Sequence, residues 1–132
     1  MNYPRLLMTS SALFLAVLGL PCVFAPDAVL VNLTDATVSG VEILVQLTGA
    51  LYMGFAALNW MSKGSLMGGI YGRPVAIGNL LHFVTGGFAL VKYVSATDAS
   101  LLAWLAAIGY ALFALGFAWV VFRNPVTAPK AV

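Results

Sequence analysis

Charge is what this chain has least of. Only 8% of its 132 residues are Asp, Glu, Lys or Arg, against 62% that are hydrophobic, whereas a water-soluble domain carries about 25% charged residues. That scarcity excludes a surface kept in water and makes lipid the expected solvent for most side chains. Cysteine is scarcer still. With Cys22 alone, the chain can form neither an intrachain disulfide nor a multi-cysteine metal or iron–sulfur site. Cys22 follows an apolar run, but Leu20 and Pro21 before it do not make a lipobox, so a buried thiol is expected. One histidine, His82, and four carboxylates leave most hydrolytic and metal-dependent mechanisms without their parts. No metal site is expected, no cofactor is indicated, and the balance leans away from an enzyme. The six Lys and Arg residues form no run, so a nucleic-acid partner is not expected.

What is present is long apolar runs. Four of them cover about residues 6–24, 43–61, 75–94 and 101–122, each near the roughly 20 residues that cross a hydrocarbon core as a helix. They are continuous, whereas barrel strands alternate over about 10 residues. The expected fold is an all-α membrane protein, a four-transmembrane-helix bundle occupying 1–132 as a single integral membrane domain. The first run also has the outline of a signal peptide, with Arg5 in front and Val23-Phe24-Ala25 as a cleavage site. Pro26 directly after that site disfavours processing, so a retained first helix is expected. The connection after it leaves room for a short interfacial helix around Asp27–Leu33.

The charges agree on one orientation. The first connection holds Asp27, Asp35 and Glu42 and no cation. Arg5, Lys63, Arg73, Arg123 and Lys130 all fall on the other side, with Lys92 the one dissenter. The positive-inside rule then places both termini and the Gly-rich central connection in the cytoplasm. Small residues at four-residue spacing mark packing faces: Ala50 and Gly54 on the second helix, and Ala103, Ala107 and Ala111, then Ala114 and Ala118, on the fourth. In lipid such spacing lets helices approach closely, within one bundle or between copies in a homo-oligomer.

Polar groups inside the spans are functional suspects, because each is costly there. Counting about 1.5 Å per residue along antiparallel helices brings Asn59 and Asn79 to one depth, where they can bond to each other. His82 lies one turn beyond Asn79 on the same face, with Tyr52 and Tyr110 near its level. An imidazole titrates near neutral pH and suits a proton or ligand contact; the structural alternative is a buried ring bonded to Asn79, a tyrosine hydroxyl or a backbone carbonyl. Glu42 and Lys92 at the outer ends of the second and third spans are placed to form an ion pair, with Gln46 one turn deeper than Glu42. The stretch Gly68-Gly-Ile-Tyr-Gly-Arg-Pro74 puts Arg73 beside a helix N-terminus, a setting for a lipid phosphate or another anion; equally, Trp60, Tyr71 and Arg73 can serve as interfacial anchors.

The layout, an Ala25-Pro26-Asp27 connection after the first helix, the string Gly49-Ala-Leu-Tyr-Met-Gly-Phe-Ala-Ala-Leu-Asn-Trp60 and the string Gly78-Asn-Leu-Leu-His82 resemble small four-helix bacterial inner-membrane proteins of the broad DoxX-like kind. That resemblance implies a four-helix fold in a bacterial inner membrane and transfers no activity. Small multidrug transporters are similar in size, but their first helix carries a membrane-embedded carboxylate that is missing here. The reading is a non-enzymatic accessory subunit or lipid- or ligand-binding bundle, with Tyr52, Asn59, Arg73, Asn79 and His82 as candidate ligand contacts. Its expected partners are membrane lipids and a homo-oligomer or larger membrane complex. The alternatives are a small transporter or channel gated by His82 and the Glu42–Lys92 pair, and, with less behind it, a quinone-handling redox enzyme.

Overall fold

In the computed structural model, residues 3–34, 40–64 and 70–123 are described. They form five helices: α1 Tyr3–Phe24, α2 Pro26–Thr34, α3 Glu42–Ser62, α4 Gly72–Ala96 and α5 Leu101–Arg123. All but α2 are long and apolar enough to cross a membrane, so the described residues are all-helical with four candidate membrane spans. The helices overrun the apolar stretches by a few residues, because the backbone continues to satisfy its own hydrogen bonds past the hydrocarbon edge.

Local chemistry explains the boundaries. Pro21 lies inside α1 and removes one amide donor, yet the ladder resumes at once, with Ala25 N–H donating to Pro21 O at 2.8 Å. Pro26 then occupies the first turn of α2, where its missing N–H costs nothing. α2 covers the span expected for a short interfacial helix, buries Leu30, and is tied to the far end of α4 by the Tyr93 hydroxyl donating to Leu33 O. Ser100 starts α5: its Oγ accepts from Ala103 N–H at 3.3 Å and its carbonyl from Trp104 N–H at 3.2 Å.

The long helices pack as two close pairs, α1 with α3 and α4 with α5, and the pairs meet across a wider seam. Within the first pair the contact is backbone to backbone: a Cβ on Gly49 would lie 2.9 Å from Val23 N. Within the second pair, Tyr110 lies on Gly86, where a Cβ would stand 2.5 Å from its ring, and Ala103 and Ala107 are buried beside Val94. Rings meet across the seam between the pairs. Phe14 of α1 lies 5.1 Å from Phe113 of α5 and 6.5 Å from Phe83 of α4, and Phe83 in turn stacks on Phe117 within the second pair at 5.7 Å.

One expected packing face points elsewhere. Ala50 and Gly54 are exposed, and nothing lies within 4 Å of a Cβ placed on Gly54. Gly49, one residue and about 100° around the helix, makes the close approach instead. The Ala103 and Ala107 face does pack within the chain, but Ala111 is exposed and Tyr110 takes the next turn of the interface.

The ends of the bundle differ in charge. Arg5, Lys63, Arg73 and Arg123 lie at the end formed by the starts of α1 and α4 and the finishes of α3 and α5. The described carboxylates, Asp27, Glu42 and Asp98, lie at the other end with Lys92. Asp35, Lys130 and the Gly68-Gly69 part of the central connection fall outside the described residues.

Candidate functional site

Two polar levels occupy the seam between the helix pairs, one turn apart. At the first, Asn59 of α3 and Asn79 of α4 face each other, as their depths predict. Asn79 Nδ2 donates to Asn59 Oδ1 at 2.6 Å, and Asn59 Nδ2 donates to Asn79 Oδ1 at 2.7 Å. The second N–H of each amide is also used: Asn59 donates to Ser11 Oγ at 3.0 Å, and Asn79 to its own-helix carbonyl at Val75, 2.9 Å away. Ser11 Oγ in turn donates to Met8 O at 3.0 Å. All three side chains have no exposed surface. Reciprocal amide pairing fixes which way each amide points and consumes every amide donor. Ser11 is the member that sequence reasoning missed. Nothing in a run of apolar residues tells which face of the first helix meets the third.

His82 forms the second level. Its ring stacks on Phe55 with centroids 4.6 Å apart, meets Tyr52 edge-on at 5.8 Å, and its Nε2 shares a 3.0 Å hydrogen bond with the Tyr110 hydroxyl. Of the partners anticipated for this imidazole, the tyrosine hydroxyl is the one it bonds, although the ring is half-buried rather than buried. Tyr110 itself is buried, but His82, Tyr52 and Phe55 are each half-buried. No buried side-chain nitrogen or oxygen among the described residues is left without a partner. His82 Nδ1, which no protein group meets, therefore lies at the open side of the seam. Three helices thus each send one polar side chain to this level: Tyr52 from α3, His82 from α4 and Tyr110 from α5. Cys22, expected as a buried thiol, is half-buried on α1 against Gly49 of α3.

The other candidates stand apart. Arg73 is exposed in the first turn of α4, about 9 Å along the axis from Asn79 and about 13 Å from His82. Glu42 and Lys92 are not brought together: Glu42 Oε2 accepts from Gly40 N–H at 2.9 Å, and Lys92 is exposed. Gln46 reaches across to Val23 O at 3.5 Å. Trp60 is half-exposed under the Lys63 ammonium, 3.2 Å from the ring centroid, and Tyr71 is exposed. Among the described residues, no three of His, Cys, Asp and Glu gather as metal ligands.

Chemically, the Asn level is closed and self-satisfied, whereas the His level combines a donor–acceptor ring, two phenols and an open edge. The first can hold helices in register. The second can exchange a hydrogen bond or a proton with a molecule arriving from the lipid side. No protein family, curated protein or solved structure matches the chain.

Proposed function

We propose that this chain is a non-enzymatic membrane bundle that binds a small amphiphilic ligand in the seam between α3 and α4, at His82. The observation that carries the reading is the half-buried imidazole in the middle of an apolar helix, stacked on Phe55 and bonded to Tyr110, with Nδ1 uncovered by protein. A bare imidazole nitrogen facing hydrocarbon is costly, and a ligand hydroxyl, carbonyl or carboxyl would remove that cost. Tyr52 meets the same ring edge-on. Asn59 and Asn79 act beneath it as the fixed floor, since their donors are already committed. The cation-rich end is assigned to the cytoplasm of a bacterial inner membrane, as the positive-inside rule suggests. The DoxX-like resemblance is kept as the family reading; it rests on the four-helix layout and the Ala25-Pro26-Asp27 connection, with its motif-like part at about residues 49–82.

Mass spectrometry of small molecules extracted with the purified chain tests this. A molecule retained by the native chain should be lost from His82→Ala and kept by Arg73→Gln. Identical profiles for native and His82→Ala protein, with both variants folded, would sink the proposal. A transporter gated by His82 has less behind it, because its second element, the Glu42–Lys92 pair, is not formed.

A further inference from the structure

A second, separate surface deserves a ligand assignment. Between α1 and α5 lies a groove of about 430 Å³ lined by Tyr3, Leu7, Leu112, Phe113 and Trp119. Gly109 and Gly116 form its floor; a Cβ on either would strike Phe14 or Leu7. The groove runs from the level of Gly109 to that of Trp119, about 15 Å along α5, and its walls are apolar except at one end. There the Tyr3 hydroxyl lies beside Gly116, and the Arg123 guanidinium lies over the Trp119 ring, 4.0 Å from its centroid.

We infer that this groove holds one acyl chain of an anionic phospholipid, with the headgroup phosphate on Arg123. Charge complementarity selects the occupant. Arg123 is exposed and follows Trp119 by one turn, and its guanidinium rests on the Trp119 ring, which lines the groove. The described carboxylates all belong to the opposite end of the bundle, so no described acid competes for it. Stacking on an indole uses the face of a guanidinium and leaves its in-plane N–H fork free for phosphate oxygens. Basic sites between helix ends on the cytoplasmic side are where anionic headgroups settle. Tyr3 adds a hydroxyl at the same end of the groove, beside Gly116. The Trp60–Lys63 pair at the finish of α3 repeats the aromatic–cation contact at the same end, but its tryptophan, unlike Trp119, does not line the groove, so it makes an internal control. This site shares no residue with the His82 level and stands or falls without it.

The experiment uses the full chain in mild detergent, titrated with phosphatidylglycerol or with phosphatidylcholine of identical chains. Bound lipid is counted by native mass spectrometry and thermal unfolding is followed in parallel. The native chain should retain one phosphatidylglycerol and be stabilised by it more than by phosphatidylcholine. Arg123→Gln should weaken that retention about tenfold, the scale of one charge-assisted hydrogen bond, while Lys63→Gln keeps it. Leu112→Trp, an exposed position whose larger side chain fills the groove, should abolish retention with Arg123 intact. Equal retention of the two lipids by the native chain, equal loss in Lys63→Gln and Arg123→Gln, or undiminished binding by Leu112→Trp would each overturn the assignment.

Discussion

The two polar levels of the seam lie on the same helices, one turn apart, and are built on opposite principles. At Asn59 and Asn79 every amide donor is spent on protein, and the side chains have no exposed surface. At His82 one ring nitrogen is spent on Tyr110 and the other faces out of a half-buried setting. A membrane interior penalises unsatisfied polar groups at both levels, so the difference is one of role. The closed level contributes stability and register. The open level keeps a polar group in reserve, which is what a binding site needs and a structural core avoids.

The sharpest way to break this contrast is at the closed level. Asn79→Ala strands both the Asn59 carbonyl and one of its N–H groups in a dry site and should cost about 2 kcal/mol, measured by unfolding in mixed micelles. The same measurement on Asn59→Leu, Asn79→Leu and the double variant should give a double cost smaller than the sum of the singles, because neither single variant leaves the other amide satisfied. Additive costs would mean the amides act separately. Gly86→Ala comes next: its Cβ would force the Tyr110 ring aside, at about 1–2 kcal/mol of overpacking, and should shift the imidazole NMR signals of His82. His82→Phe keeps the stacking on Phe55 and strands one group, the buried Tyr110 hydroxyl, so it should cost about 1 kcal/mol, less than the two groups stranded by Asn79→Ala. A cost equal to that of Asn79→Ala would show that the His level is structural too. Gly54→Leu should fall within about 0.5 kcal/mol of the native chain, as exposed positions do. A larger effect, or a change of oligomeric state, would mark the Ala50–Gly54 face as an interface between copies.

The number of spans, their limits within a few residues and the shared depth of Asn59 and Asn79 were all legible in the sequence, because run length and the rise per residue are one-dimensional quantities. Which helix pairs with which was not. Lipid makes the outer face of a span as apolar as the inner one, so hydropathy does not tell them apart. For that reason Ser11 went unassigned to its polar partner, and the small-residue spacing at Ala50 and Gly54 did not mark the face that packs within the chain. Gly49, the residue that makes the approach, is distinguished only by what lies opposite: Cys22 and Val23. The tyrosine partner of His82 was anticipated as one alternative among several. Its realisation depends on Gly86, whose missing side chain lets Tyr110 cross α4 at that height.

The pairing of α1 with α3 and of α4 with α5 has a consequence for biosynthesis. The chain divides at the central connection into two halves, each already closed on its tightest contacts before the other is needed. As synthesis proceeds from the N-terminus, α1, α2 and α3 can assemble while α4 and α5 are still unmade, and the second hairpin then docks ring against ring. The Asn59–Asn79 bond, the first polar link across that junction after the chain turns back, is the latch that sets how far the second half slides. Two fragments divided between Gly64 and Ile70 and produced together should therefore find each other in the bilayer. Asn79→Ala should impair that reunion more than it impairs the uncut chain.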